Sequence, residues 1–236
     1  MVKIRKLLLN DIRNILRDRL LLYSAFLIPL IIIIFTRLVI PWISEHVIPL
    51  EQMYPLLFML IVITIPLMFG FVLGFLIMDE RDENLLTVLR VMPISRNTYL
   101  LYRMMFLSIL SLIYILLFPI LTGLIEISFI DYLPIALLLM FLTPILGLIA
   151  NIVATNKVQA FAVFKTLGGV FYIPLFAFFI NNEFKYILGI IPNFWTFMAL
   201  DRLLTTGNQD YIYIGIGCCL HLVLLGVLFY LFNKKN

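Results

Sequence analysis

An all-α integral membrane protein is the fold class this sequence predicts, and three observations predict it. The 236 residues are 64% hydrophobic and 13% charged, roughly half the ~25% charged share of a soluble domain. The apolar residues form six runs, each long enough at about 1.5 Å per residue to cross a hydrocarbon core about 30 Å thick. The charges gather between those runs and near their ends. The whole chain is therefore expected to be one transmembrane domain, with no room for a separate soluble catalytic unit.

Residues 1–19 come first. Ile4, Leu8, Ile12, Ile15 and Leu16 recur at three- and four-residue spacing, with Lys3, Lys6, Arg13 and Arg17 on other faces. This predicts an N-terminal amphipathic helix lying flat in the interface. No short apolar core leads to a small-residue cleavage site, so a signal peptide is not expected. The first span, 20–40, contains Pro29 as a point of bending and is expected to stop at Pro41. Arg37 can snorkel from its outer end to the headgroups. The second span, 54–78, contains Pro66, expected to kink it. Gly70 and Gly74 form a GxxxG there, a candidate packing face on which another helix can come close. The third span is 100–121. The fourth, 133–154, places Pro134 in its first turn and a bend at Pro144. The fifth, 159–180, is the least regular, with Gly168, Gly169 and Pro174.

Residues 181–210 are mostly apolar, but Pro192-Asn193 breaks them and Asp201-Arg202 interrupts their end. Neither half can span. This predicts an outer broken helical pair before the last span, 211–232, with Tyr186, Phe194 and Trp195 as belt residues.

Orientation follows from Lys and Arg. With the N-terminus inside, fourteen of the 17 basic residues fall on the inner side, and the outer side carries seven acids: Glu45, Glu51, Glu126, Asp131, Glu183, Asp201 and Asp210. The positive-inside rule then predicts a cell-membrane protein with both termini in the cytoplasm.

Several chemistries are disfavoured. A P-loop needs glycine followed by lysine, and no glycine here is followed by lysine. No HExxH is present, and the two histidines, His46 and His221, are far apart in sequence. His221 falls mid-span, where an ionisable group is either functional or a neutral imidazole bonded to a neighbouring helix. The adjacent Cys218 and Cys219 read as buried small apolar residues, since neighbours rarely bridge. Metal spacing is lacking, and no metal site or catalytic residue is expected. No Asp or Glu lies mid-span, which argues against a proton- or sodium-driven carrier. No nucleic-acid partner is expected.

Residues 79–103 are the conspicuous exception to the apolar pattern. Asp79, Glu80, Arg81, Asp82 and Glu83 are five consecutive charges, followed by Leu85, Leu86, Val88, Leu89 and Val91. Acids at a helix start favour its dipole, so a short helix is expected from about Glu80 to Val91, ended by Met92-Pro93. A solvated loop would explain the acids. It would not explain the run of leucines and valines, which calls for a protein partner.

Glu80-Arg81-Asp82-Glu83, Leu89, Pro93-Ile94-Ser95-Arg96, Tyr99-Leu100 and Arg103 resemble the membrane subunit of a type-2 ABC exporter. The order of elements is similar over nearly the whole chain. The chain departs from that family's common pattern at Asn84-Leu85 and Thr87, and at Arg103, where lysine is common. The resemblance implies that residues 79–99 are a cytoplasmic coupling segment. Glu80, Arg81, Asp82, Glu83, Leu85, Leu86, Leu89, Arg90, Pro93 and Arg96 would then meet a separate ATP-binding subunit. No cofactor would sit in this chain, ATP and magnesium being held by that partner. It further implies a second permease chain, identical or related, with cargo passing between the two within membrane lipid. Drug, peptide, lipid-linked glycan and lipid all fit as cargo. The competing readings are a small membrane enzyme or assembly scaffold using His221, and a secondary transporter.

Overall fold

A computed structural model describes residues 19–82 and 96–235 of the chain. The described residues are helical, without strands, and six helices are long and apolar enough to cross a membrane: Tyr23–His46, Glu51–Asp82, Asn97–Thr122, Phe129–Val153, Lys157–Phe179 and Tyr211–Lys235. The amphipathic helix expected before residue 19 lies outside the described residues.

The second and fourth spans form the centre. Of their apolar windows 61% and 67% is buried, against 17% in the sixth. Their C-terminal halves, Thr64–Asp82 and Leu142–Val153, make the most extensive helix contact in the bundle. Sequence explains the closeness. A Cβ added at Gly70 would lie 2.9 Å from Leu146 Cβ, and one added at Gly147 would lie 2.7 Å from Leu73 Cδ2. Gly74 faces the Phe164 ring of the fifth span, 2.5 Å from such a Cβ. Buried polar side chains join the same pair of helices. Asn151 Nδ2 donates to the carbonyls of Gly74 at 3.0 Å and Gly147 at 2.9 Å, and Thr143 Oγ1 donates to Pro66 O at 3.2 Å.

Proline shapes the spans, though often not where the residue itself stands. The second span breaks at Ile63 and the fourth at Phe141. Each break lies three residues before a proline, Pro66 or Pro144. The missing N–H and the ring's clash with the carbonyl four residues back disturb the preceding turn. A π-helical stretch, Tyr23–Leu27, precedes Pro29, which thus occupies the first turn of Ile28–His46. The expected stop at Pro41 is corrected: the helix runs through it to His46. Pro134 is the sixth residue of Phe129–Met140, not in its first turn. Beyond Tyr172 the fifth span tightens to a 3-10 helix, Ile173–Phe179.

The segment before the last span is a broken pair: the 3-10 helix Glu183–Ile190 and the α-helix Asn193–Thr206, which ends at Gly207 with φ +70°. Its role as an interfacial belt is corrected at Phe194. That ring is fully buried beside Ala177 and Met198. The helix packs on the sixth span and on the N-terminal halves of the fourth and second, Phe129–Met140 and Tyr54–Val62. Asn193 Nδ2 donates to Phe171 O, and Trp195 Nε1 to Gly189 O at 2.9 Å. The helix Asn193–Thr206 therefore wedges into that end of the bundle, while Glu183–Ile190 leaves Phe184, Ile187 and Ile190 exposed.

Candidate functional site

The end of the bundle that carries the basic residues is where charge is buried. Thr64–Asp82 continues past the apolar part of the second span, so Asp79, Glu80, Arg81 and Asp82 belong to the span's own helix. This corrects the expectation that Glu80 and Arg81 begin a separate short helix. The third span's helix begins at Arg96.

Glu80 is 4% exposed and Arg103 2%. Their side chains form an ion pair through Glu80 Oε1 and Arg103 Nη2. Tyr99, one turn before Arg103, closes the cluster. Its hydroxyl donates to Glu80 Oε1 at 2.6 Å and accepts from Arg103 Nη2 at 2.8 Å. The Arg103 guanidinium carbon also lies 5.4 Å from the Tyr99 ring centroid. Desolvating two charges is costly unless the pair is well bonded, and here one phenol bridges both. The Glu80 carboxylate therefore faces inward. Within this chain it meets Tyr99 and Arg103.

The flanking residues turn to another neighbour. Lys157 pairs with Asp79, and Arg81 Nη2 donates to Thr155 O at 2.8 Å. Both contacts reach the link between the fourth and fifth spans, where Asn156 Oδ1 caps the next helix by accepting from Gln159 N at 2.9 Å. Lys235, at the end of the sixth span, donates to Ile152 O at 2.6 Å. Asp82 is exposed. Glu83, Leu85, Leu86, Leu89, Arg90 and Pro93 lie outside the described residues, as does the Arg96 side chain.

Tyr99 and Arg103 were quoted for the family pattern but not as Glu80's partners. An acid and a base ending consecutive apolar helices, with tyrosine one turn from the base, is the signal that could have found them. Asn151 was missed altogether; a lone amide amid apolar residues of a span was its signal.

His221 is fully buried. Its Nδ1 lies 2.7 Å from Gly217 O on its own helix, not on a neighbour as expected, and its ring is 6.0 Å from Phe141. Cys219 is exposed and Cys218 half-buried on the sixth span, which corrects the expected burial. Arg37 is held by a bond from Nη1 to Leu121 O, 2.9 Å, at the end of the third span. Among the described residues no three His, Cys, Asp or Glu side chains gather as a metal site.

Six apolar helices, charged at their ends and packed through glycines at their centre, define a multi-pass membrane protein. The chain belongs to the family described as Fluoroquinolones export permease protein Rv2686c-like, which matches residues 11–229. It is 27% identical over 235 residues to the Fluoroquinolones export permease protein Rv2686c of Mycobacterium tuberculosis (strain ATCC 25618 / H37Rv), covering 96% of this chain and 92% of that one. The same values hold for the Fluoroquinolones export permease protein MT2760 of strain CDC 1551 / Oshkosh. No solved structure matches the chain. The protein is thus the permease subunit of an exporter.

Proposed function

We propose that this permease is driven by ATP bound to a separate subunit, as part of an ABC exporter. It works with a second permease chain, and its basic end and both termini are cytoplasmic. The observation that carries the reading is the arrangement around residues 83–95. That short link leaves the second span and enters the third at one place, and its two flanking helices are locked together by Glu80, Tyr99 and Arg103. The charges Asp79, Glu80 and Arg81 are occupied within the chain. The leucines at 85, 86 and 89 then become the residues that meet the partner. No glycine-lysine pair of a P-loop occurs in the chain, so the nucleotide and its magnesium belong to the partner.

The cargo class is an amphipathic aromatic drug of the fluoroquinolone kind, which the relatives' names describe. The test is transport into inside-out vesicles containing the permease and the ATP-binding subunit it co-purifies with. Uptake of a fluorescent fluoroquinolone is expected with ATP and not with a proton gradient alone. Uptake driven by the proton gradient, or failure to retain any ATP-binding subunit, would overturn the reading.

A further inference from the structure

We propose that Glu80, Tyr99 and Arg103 are positioning residues for transport: a joint that passes movement of residues 83–95 to the second and third spans together. The inference rests on the reading that this segment receives an ATP-binding subunit.

The placement comes first. Glu80 lies two residues from the end of Thr64–Asp82, and Tyr99 and Arg103 lie on the first two turns of Arg96–Thr122. The cluster thus sits within about two helical turns of both ends of the segment. Tyr99 and Glu80 join the two helices close to this segment, beside Leu100 of the apolar core. The same turn of the second span is tied sideways, through Asp79–Lys157 and Arg81–Thr155, to the link before the fifth span.

The chemistry comes second. An ion pair this buried is weak evidence for stability, because apolar residues of similar size often serve the fold as well. What charge-assisted bonds add over apolar contact is direction and register. Tyr99 fixes the register twice, as donor to the acid and acceptor from the base. Two helices held in this way tilt as one body. Two helices held by leucine packing can slide.

The third point is economy of explanation. Five successive charges at 79–83 look like a water-facing loop, yet Glu80, the second of them, is turned inward. A structural role alone needs only that the fold closes; a joint also needs that the closed pair stay charged.

The test separates these. The permease and its co-purifying ATP-binding subunit are reconstituted in proteoliposomes, and fluoroquinolone moved per ATP hydrolysed is measured beside partner retention. The double variant Glu80→Met/Arg103→Met is expected to keep the partner and a near-parental melting temperature, while cargo per ATP falls at least tenfold. Arg103→Lys, which keeps the charge, is expected to retain most of the coupling that Arg103→Met loses. Tyr99→Phe is expected to lose two- to fivefold. Parental coupling in the double variant would overturn the joint, as would equal losses in Arg103→Lys and Arg103→Met should the double variant fail to fold. Loss of the partner in step with transport would overturn it too, by making Glu80 part of the docking face. A parental permease that retains no ATP-binding subunit fails the underlying reading instead, and shows it before any variant is made.

Discussion

The two ends of the bundle are held by different forces. At the basic end, neighbouring spans are joined by charge: Glu80 with Arg103 and Tyr99, Asp79 with Lys157, Arg81 with a carbonyl. At the opposite end, the helix Asn193–Thr206 is held by rings and methyls around Phe194, Met198 and Ala177 together with the bonds from Asn193 and Trp195, the Trp195 ring lying edge-on to Phe194 and tilted to Tyr213. Directional bonds keep helices in register. Apolar packing fixes how much volume is filled but tolerates sliding.

That contrast can be broken by experiment. The largest effect is expected from Leu85→Glu/Leu86→Glu/Leu89→Glu, which should abolish ATP-driven transport while leaving membrane insertion normal. Unchanged transport would remove the basic end's role as a receiver. Next, Phe194→Ala should cost about 3–5 kcal/mol, the range for emptying a buried aromatic site, measured as a fall in thermal unfolding temperature in detergent. A loss below about 1 kcal/mol would mean the wedge is not held by its apolar core. Gly70→Val comes third, at about 1–3 kcal/mol for overpacking against Leu146 and the Thr143 carbonyl. Lys157→Ala should change stability by only about 0–1 kcal/mol, because its pair with Asp79 is partly exposed.

The smallest effect concerns Asp201 on the wedge. Burial holds its carboxyl above the usual range, while Lys185 and Arg202 pull it down by less. Folding therefore shifts the carboxyl toward protonation relative to the unfolded chain. The ionised form costs stability at neutral pH, and that cost fades as pH falls through the raised value. Asp201→Asn should melt slightly higher than the parent at pH 7, with the difference vanishing in acid. A difference that grew in acid would reverse the assignment.

Much of the fold was legible because lipid imposes a length and a composition that few other environments demand. The six spans follow from uninterrupted apolar runs, and Gly70 and Gly74 do lie at close helix approaches. Proline positions were visible but their effects were displaced, since Pro66 and Pro144 disturb the turn before them. Pro41 shows the other limit: a helix in an apolar setting continues through a proline when water offers the backbone nothing better. The site was half legible. Charge at 79–83 was obvious, but its direction was not, because Arg103 lies 23 positions from Glu80 and no local spacing links them. Phe194 was misplaced for a similar reason. Its burial depends on which helices surround 193–206, a fact no window of sequence contains.

The breaks at Ile63 and Phe141 carry a mechanical consequence. In the second span they separate 19 residues on the basic side from 9 on the other, arms of about 28 and 13 Å at 1.5 Å per residue. The helix is interrupted between them, so a tilt of one arm need not carry the other. The long arm packs on the fourth span and the short arm meets Asn193–Thr206, so the two arms answer to different neighbours.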